Sequence, residues 1–197
     1  MRKFRSMSPH DNSVLGMVVI TSAPEVGEAV ALARAASAGW RALGVRGRTE
    51  ALRKVLHIFE LRKKEFAELA TKEMGMPLAQ SRADVSDALV YLQWYLDNAE
   101  EHLAPELSED GQEVHTVYRE PYGVAAVISP WNFPLSNFVW GCGQNLVAGN
   151  TVVFKHSEEA PLVGQLMQKV MEEAALPKGV FNEIYGRGPV GTQLARQ

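Results

Sequence analysis

A single cysteine, Cys142, in 197 residues excludes an internal disulfide framework. No apolar run approaches the roughly 20 residues that a membrane-crossing helix needs. The N-terminus, Met1-Arg2-Lys3-Phe4-Arg5, is basic but leads into Ser, Pro, His and Asp, so it lacks the apolar core of a secretory signal. A cytoplasmic protein is the expectation. Positive charge is not in excess either. Twenty Lys and Arg stand against 23 Asp and Glu, for a net charge of -3 and a pI near 6.0. That balance carries no electrostatic footprint for nucleic acid. Histidine is scarce. His57 and His102 fall on polar faces of helical patterns, His10 and His115 have no partner at ligand spacing, and no metal site is read.

What is present is ordinary globular composition, 46% hydrophobic and 22% charged, enough for one sizeable core. Residues 14 to 20 read as a short strand. Thr21 or Ser22 can then cap a helix with Pro24 in its first turn and Glu25 near its positive end. A second helix is expected after Thr49, with the stripe Leu52, Val55, Leu56, Phe59, Phe66 and Leu69. Gly75 and Pro77 punctuate, and a third helix is expected from about Leu78 to Leu103. Glu106 to Glu113 is polar and reads as irregular. Val114 to Arg119 alternates apolar and polar like a half-exposed strand. It fits either a simple crossing strand or an edge that pairs with another chain.

From Gly123 the order becomes strand, helix, strand, helix, strand, over Gly123–Ile128, Thr151–Lys155 and Phe181–Tyr185. The first two are nearly all apolar, as strands covered on both faces should be. Helix punctuation is well placed. Gly149 stands where a left-handed cap is needed, and Pro161 where a helix begins. A βαβαβ unit with a parallel sheet follows. Its first strand ends in Ile128-Ser129-Pro130-Trp131-Asn132-Phe133-Pro134. Two prolines in five residues fix φ and stiffen the turn. Strand ends are where open α/β sheets place ligand chemistry. Two readings of Asn132 fit the residues: a cap for the following helix, or an amide N–H held beside a reacting carbonyl to stabilise an oxyanion.

Further on, Lys155 is followed by His156-Ser157-Glu158-Glu159. A cation and a carboxylate at a strand's carboxyl end can reach a ribose. The same acids would also sit well near the positive end of the next helix. Gly186-Arg187-Gly188-Pro189-Val190-Gly191 spells a glycine fingerprint, weak alone because it follows the third strand of the unit. Cys142 falls in step with Phe138, Val139 and Leu146, with no cation or histidine placed to ionise it, and reads as a buried structural thiol.

Arg119-Glu120-Pro121-Tyr122-Gly123-Val124, Ile128 to Pro134, and Leu146-Val147-Ala148-Gly149-Asn150-Thr151-Val152-Val153-Phe154-Lys155 together resemble the aldehyde dehydrogenase superfamily. The resemblance runs from about Val14 to the last residues. It implies an α/β fold, a Rossmann-like open parallel sheet with three parts: an N-terminal helical layer (1–104), the start of a bridging, oligomerising sheet (105–120), and an incomplete dinucleotide-binding βαβαβ unit (121–197). It implies oxidation of an aldehyde to a carboxylic acid with NAD, or with NADP, in a homo-oligomer of the complete protein. Asn132 is then catalytic, sharing the oxyanion with a cysteine's backbone N–H. Ile128, Ser129, Pro130, Trp131, Lys155, Ser157, Glu158, Gly188 and Gly191 are then cofactor-binding, and Phe133, Ser136, Asn137 and Trp140 wall the aldehyde tunnel. His156 departs from the pattern, since many members carry proline there. The chain is well short of the family's length. The resemblance places the nucleophile far beyond Gln197, so residues 1–197 alone are expected to be inactive. A non-catalytic module that holds a dinucleotide or a partner subunit is the alternative.

Overall fold

The computed structural model describes residues 1–109 and 111–197. Its centre is a three-stranded parallel sheet of β5 (Val124–Ile128), β6 (Thr151–Lys155) and β7 (Phe181–Ile184), in that spatial order. The chain returns from β5 to β6 through α4 (Pro134–Phe138), a π-turn (Val139–Gly143) and α5 (Gln144–Ala148). It returns from β6 to β7 through α6 (Pro161–Glu173), and α7 (Gly188–Leu194) follows β7. Consecutive strands side by side, each reached through a helix, make one half of a doubly wound α/β sheet.

Helices cover both faces. On one face Phe138, Phe154 and Phe181 meet with ring centroids 5.6, 5.7 and 6.0 Å apart. The long helices α2 (Gly44–Met74) and α3 (Leu78–His102) close this core with Leu52, Phe59, Phe66, Val85 and Leu92. Each such side chain contributes about 1.5–3 kcal/mol on leaving water. On the other face Val153 and Ile184 pack against Val26, Val30 and Ala33 of α1 (Ala23–Ala42) and against Val190 and Leu194. Ser22 precedes α1 as expected. Its backbone N–H and hydroxyl both donate to Glu25, at 2.7 Å each.

Several boundaries differ from the sequence reading. The N-terminus is a strand, β1 (Lys3–Met7), paired antiparallel with β2 (Val14–Val19). Phe4 and Ser6 point inward and the two basic residues outward. Helix α2 begins at Gly44, not after Thr49, and a left-handed Gly44 (φ 67°) separates it from α1. Thr49 caps nothing; its hydroxyl donates to the Arg46 carbonyl inside the helix (2.9 Å). Arg48 is buried because its guanidinium donates to the carbonyls of Val147 (3.0 Å) and Arg41 (3.3 Å).

The segment read as irregular contains β3 (Glu106–Glu109), antiparallel to β4 (Val114–Val117). Asp110, inside that segment, lies outside the described residues. Both strands are exposed at every position, so pairing rather than burial makes them strands. β6 is buried throughout, but β5 is not covered as expected. Ile128 is 52% exposed, and β5 has a strand neighbour on one side only among the described residues. Among the described residues, no helix is long and apolar enough to cross a membrane.

Candidate active site

The turn after β5 is held at both ends by residues distant in sequence. At its start the Ser129 backbone N–H donates to the Lys155 carbonyl (3.2 Å), extending the β5–β6 ladder by one residue. The Ser129 hydroxyl lies 3.1 Å from Nδ1 of His156. At its end the turn runs into α4, whose first N–H groups need acceptors. Asp84 of α3 supplies them. Its carboxylate accepts from the backbone N–H groups of Leu135 (3.2 Å) and Ser136 (3.1 Å), and its carbonyl accepts from the Ser136 hydroxyl (3.4 Å). Burial raises the Asp84 carboxyl above its ordinary range, and these hydrogen bonds oppose the shift.

The capping reading of Asn132 therefore does not hold; Asp84 fills that role. Asn132 is exposed, and its amide oxygen accepts a long bond from Asn137 (3.5 Å). With the oxygen occupied, the Nδ2–H donors make no hydrogen bond among the described residues. Phe133 and Trp140 are exposed and Asn137 is half-buried, so these three can share one open face with Asn132. Tyr91 of α3 extends it, with its ring 5.7 Å from that of Trp140. Ser136 does not belong to this open face. It is 4% exposed and turned to Asp84, for the reason that made it odd in a core: its hydroxyl needs a partner.

A second group gathers at the carboxyl end of β6. Lys155 is 3% exposed, and its ammonium donates to the His156 carbonyl (3.2 Å) and to the Glu158 carboxylate (3.3 Å). A Cβ added at Gly191 would stand 3.4 Å from Cδ of Lys155 and 3.5 Å from Cδ1 of Ile128. Ile128, Lys155, Glu158 and Gly191 thus converge. Gly188 opens onto free space. Ser157 turns into its own loop, accepting from the Glu159 N–H (3.2 Å). Pro130 and Trp131 are exposed on the turn. Cys142 is fully buried, and burial lifts its thiol well above the ordinary range, with nearby Glu183 adding to the shift. A buried, neutral thiol is a poor nucleophile.

Two residues of this frame escaped the sequence reading. Asp84 falls at helical spacing with Ser81 and Ala88, all three buried. A carboxylate in register with a buried stripe is the signal that could have found it. His156 stood out as a departure from the family pattern, but nothing local tied its ring to Ser129, 27 residues away.

The fold has counterparts among solved structures. The model of the aldehyde dehydrogenase family matches residues 1–197. PnpE, solved from Pseudomonas sp. WBC-3 and in a complex with nicotinamide adenine dinucleotide, is 35% identical with a TM-score of 0.92. The similarity covers 100% of this chain and 41% of PnpE. The succinate-semialdehyde dehydrogenase of Burkholderia pseudomallei is 30% identical over 100% of this chain and 41% of its own, with a TM-score of 0.92. A 3,6-anhydro-L-galactose dehydrogenase in complex with NAP is 29% identical over 100% of this chain and 42% of its own, with a TM-score of 0.90. The chain spans about four-tenths of the length of these relatives. The match along every residue of the sequence, and the identity to PnpE over all of it, establish that the chain belongs to the aldehyde dehydrogenase family.

Proposed function

We propose that this chain binds NAD(P)+ and supplies the oxyanion-stabilising amide for oxidation of an aldehyde to a carboxylic acid. The observation that carries this reading is the convergence of Ile128, Lys155, Glu158 and Gly191 at one strand end, beside a rigid turn whose Asn132 keeps its N–H donors unoccupied. The residues present fit a dinucleotide. A carboxylate held 3.3 Å from an ammonium can accept from ribose hydroxyls, and Gly188, with nothing within 4 Å of its missing Cβ, leaves room for a ligand beside the backbone. NAD(P)+, when bound, supplies the hydride acceptor. Asn132 donates to the carbonyl oxygen as it gains charge, from a turn that Asp84 and Ser129 hold still, so no reorganisation is needed at that moment. Phe133, Asn137 and Trp140 form the wall along which the aldehyde enters. Ser136 supports that wall from beneath.

The thiol that attacks the aldehyde must come from outside these 197 residues, because their one cysteine is buried in the core. In the same reading the exposed β3–β4 hairpin meets a second copy. Leu107, Val114, Val117 and Tyr118 are all more than half exposed on it. Glu158 favours NAD+, since its charge would repel a 2′-phosphate.

Two measurements test this reading. In the aldehyde-oxidising enzyme that contains these residues, Asn132→Ala lowers kcat by about 10²–10³ and changes cofactor affinity little; an unchanged kcat removes Asn132 from the mechanism. Residues 1–197 alone bind NAD+ weakly and form no NADH from any of several aldehydes. Turnover that Cys142→Ser abolishes would overturn the assignment of that thiol.

A further inference from the structure

Two buried polar side chains have no part in the reading above. Nε2 of His156 and both carboxylate oxygens of Glu183 are buried with no hydrogen-bond partner. The two side chains lie on the same face of the sheet. Glu183 of β7 is registered against Phe154, and the Phe154 ring lies 5.5 Å from that of His156. Both close on one point of α6. A Cβ added at Gly164 would fall 2.3 Å from Oε1 of Glu183, 3.1 Å from Cβ of His156 and 3.3 Å from its Cδ2, the carbon next to Nε2. Two adjacent orphans of complementary chemistry are costly apart and inexpensive together.

We propose that Glu183, protonated, and His156, neutral, form a buried relay that orients the hydroxyl of Ser129. The Glu183 O–H donates to Nε2, directly or through one water, and the single ring proton rests on Nδ1, which donates to the Ser129 oxygen 3.1 Å away. Every group in the relay is neutral, Nε2 and one Glu183 oxygen are paired, and the Tyr185 hydroxyl is placed to serve the other oxygen. The Ser129 hydrogen is then directed away from the ring, towards the turn. The surroundings favour these protonation states. Burial and the adjacent Lys155 push the His156 ring down to about 3, and burial lifts the Glu183 carboxyl well above its ordinary range. The other titratable groups near Glu183 are Cys142 on the π-turn and Tyr185 just past its own strand, both neutral; the Tyr185 hydroxyl is placed to donate to the Glu183 carbonyl oxygen, which leaves the Glu183 O–H for Nε2. Serine, histidine and an acid in a row also make hydrolytic triads, but here the ring nitrogen that faces Ser129 carries the proton and donates it, so it cannot act as the base. His156 and Glu183 are therefore positioning residues, and their link to function rests on the proposed dinucleotide site together with the family resemblance that makes Ser129 one of its cofactor-binding residues.

The test is the ring tautomer of His156, read from long-range ¹H–¹⁵N correlations of the ¹⁵N-histidine-labelled chain. The expected result is a neutral ring with its proton on Nδ1, unchanged between pH 8 and pH 5. Glu183→Gln keeps that tautomer, because the amide N–H replaces the carboxyl donor, whereas Glu183→Leu loses it. NAD+ titrations run in parallel. Glu183→Leu weakens binding about five-fold, the size of one lost hydrogen bond, and Glu183→Gln leaves it within about two-fold. A wild-type ring protonated on Nε2, or one that gains charge above pH 5, overturns the relay. So does a tautomer indifferent to Glu183→Leu. Failure of the unaltered chain to bind NAD+ would defeat the dinucleotide reading instead, and the tautomer would still decide the relay.

Discussion

Removing the Asp84 carboxylate should loosen the motif turn from a distance of 51 residues in sequence. Asp84→Ala leaves the N–H groups of Leu135 and Ser136 without acceptors, and both residues are buried, so water cannot readily replace the lost partner. An orphaned buried donor costs about 1–3 kcal/mol, which makes about 2–6 kcal/mol for the pair. Losing the carboxylate also ends its own desolvation, which is what raises its pKa, and this returns part of the cost. The net expectation is a loss of about 2–3 kcal/mol. Asp84→Asn keeps one acceptor and should lose about half as much.

The assay is urea unfolding followed by far-UV circular dichroism, with Asp87→Ala as the control. Asp87 is exposed on the same helix, and its removal should change stability by less than about 0.5 kcal/mol. The pH dependence carries a sign. Because the folded pKa of Asp84 is raised, the fold holds that proton more tightly than the unfolded chain does. The stability linked to it is full below the ordinary value of 3.8 and is lost as pH rises through the folded pKa. The deficit of Asp84→Asn is therefore larger near pH 4 than at pH 7. Equal stabilities for Asp84→Ala and Asp87→Ala would refute the capping argument.

Other perturbations probe neighbouring parts of the frame. His156, held down to about 3 in the fold, takes a proton below about 6.5 only when unfolded, so stability present above 6.5 is lost as pH falls towards 3. Between pH 7 and pH 5 the unaltered chain should lose about 2 kcal/mol relative to His156→Gln in urea unfolding, and parallel curves would refute the burial of a neutral ring. Gly164→Ala places a methyl 2.3 Å from Oε1 of Glu183 and should cost about 1–2 kcal/mol after the gain in helix propensity. Gly39→Ala in α1, with nothing within 4 Å, should instead stabilise by about 0.5–1 kcal/mol, and a like response of the two glycines would count against the crowding at Gly164. Glu158→Ser should shift the ratio of NAD+ to NADP+ dissociation constants by about five-fold towards NADP+, a modest change because Lys155 already screens the carboxylate; an unchanged ratio would show that Glu158 does not face the ribose.

The parallel unit was legible because its signals are local. Apolar runs over Val124–Ile128 and Thr151–Lys155 are bounded by Gly123, Gly149 and Pro161, residues whose backbone preferences act within a few positions. Elements that owe their state to a distant partner were not legible. β1 alternates outward Lys3 and Arg5 with inward Phe4 and Ser6, a period of two that its charge concealed. Its inward Ser6 donates to Glu73 at the end of α2 (2.5 Å), a contact no local pattern shows. β3 has one large apolar residue, Leu107, and is a strand only because β4 lies beside it.

The same division runs through the candidate site. The groups proposed to meet ligands, Asn132 and the Lys155–Glu158 pair, stand at strand ends that the local pattern marks. Their supports come from elsewhere. Two buried carboxylates do similar work on the two returns of the unit. Asp84 caps α4, and Glu73 caps α6 by accepting from the N–H groups of Leu162 (2.9 Å) and Val163 (2.8 Å). Burial raises the pKa of both, so each costs the fold something at neutral pH, with the sign worked out for Asp84. An exposed serine or asparagine at the cap position would satisfy the same donors without that cost. What the buried acids add is connection: each bolts a helix that follows a strand end to a helix of the N-terminal layer. The turn that holds Asn132 and the loop that holds Lys155 and Glu158 are thereby fixed to one rigid layer. In the proposed reading, a site that holds an amide and a dinucleotide in register gains more from that connection than the buried acids cost in stability.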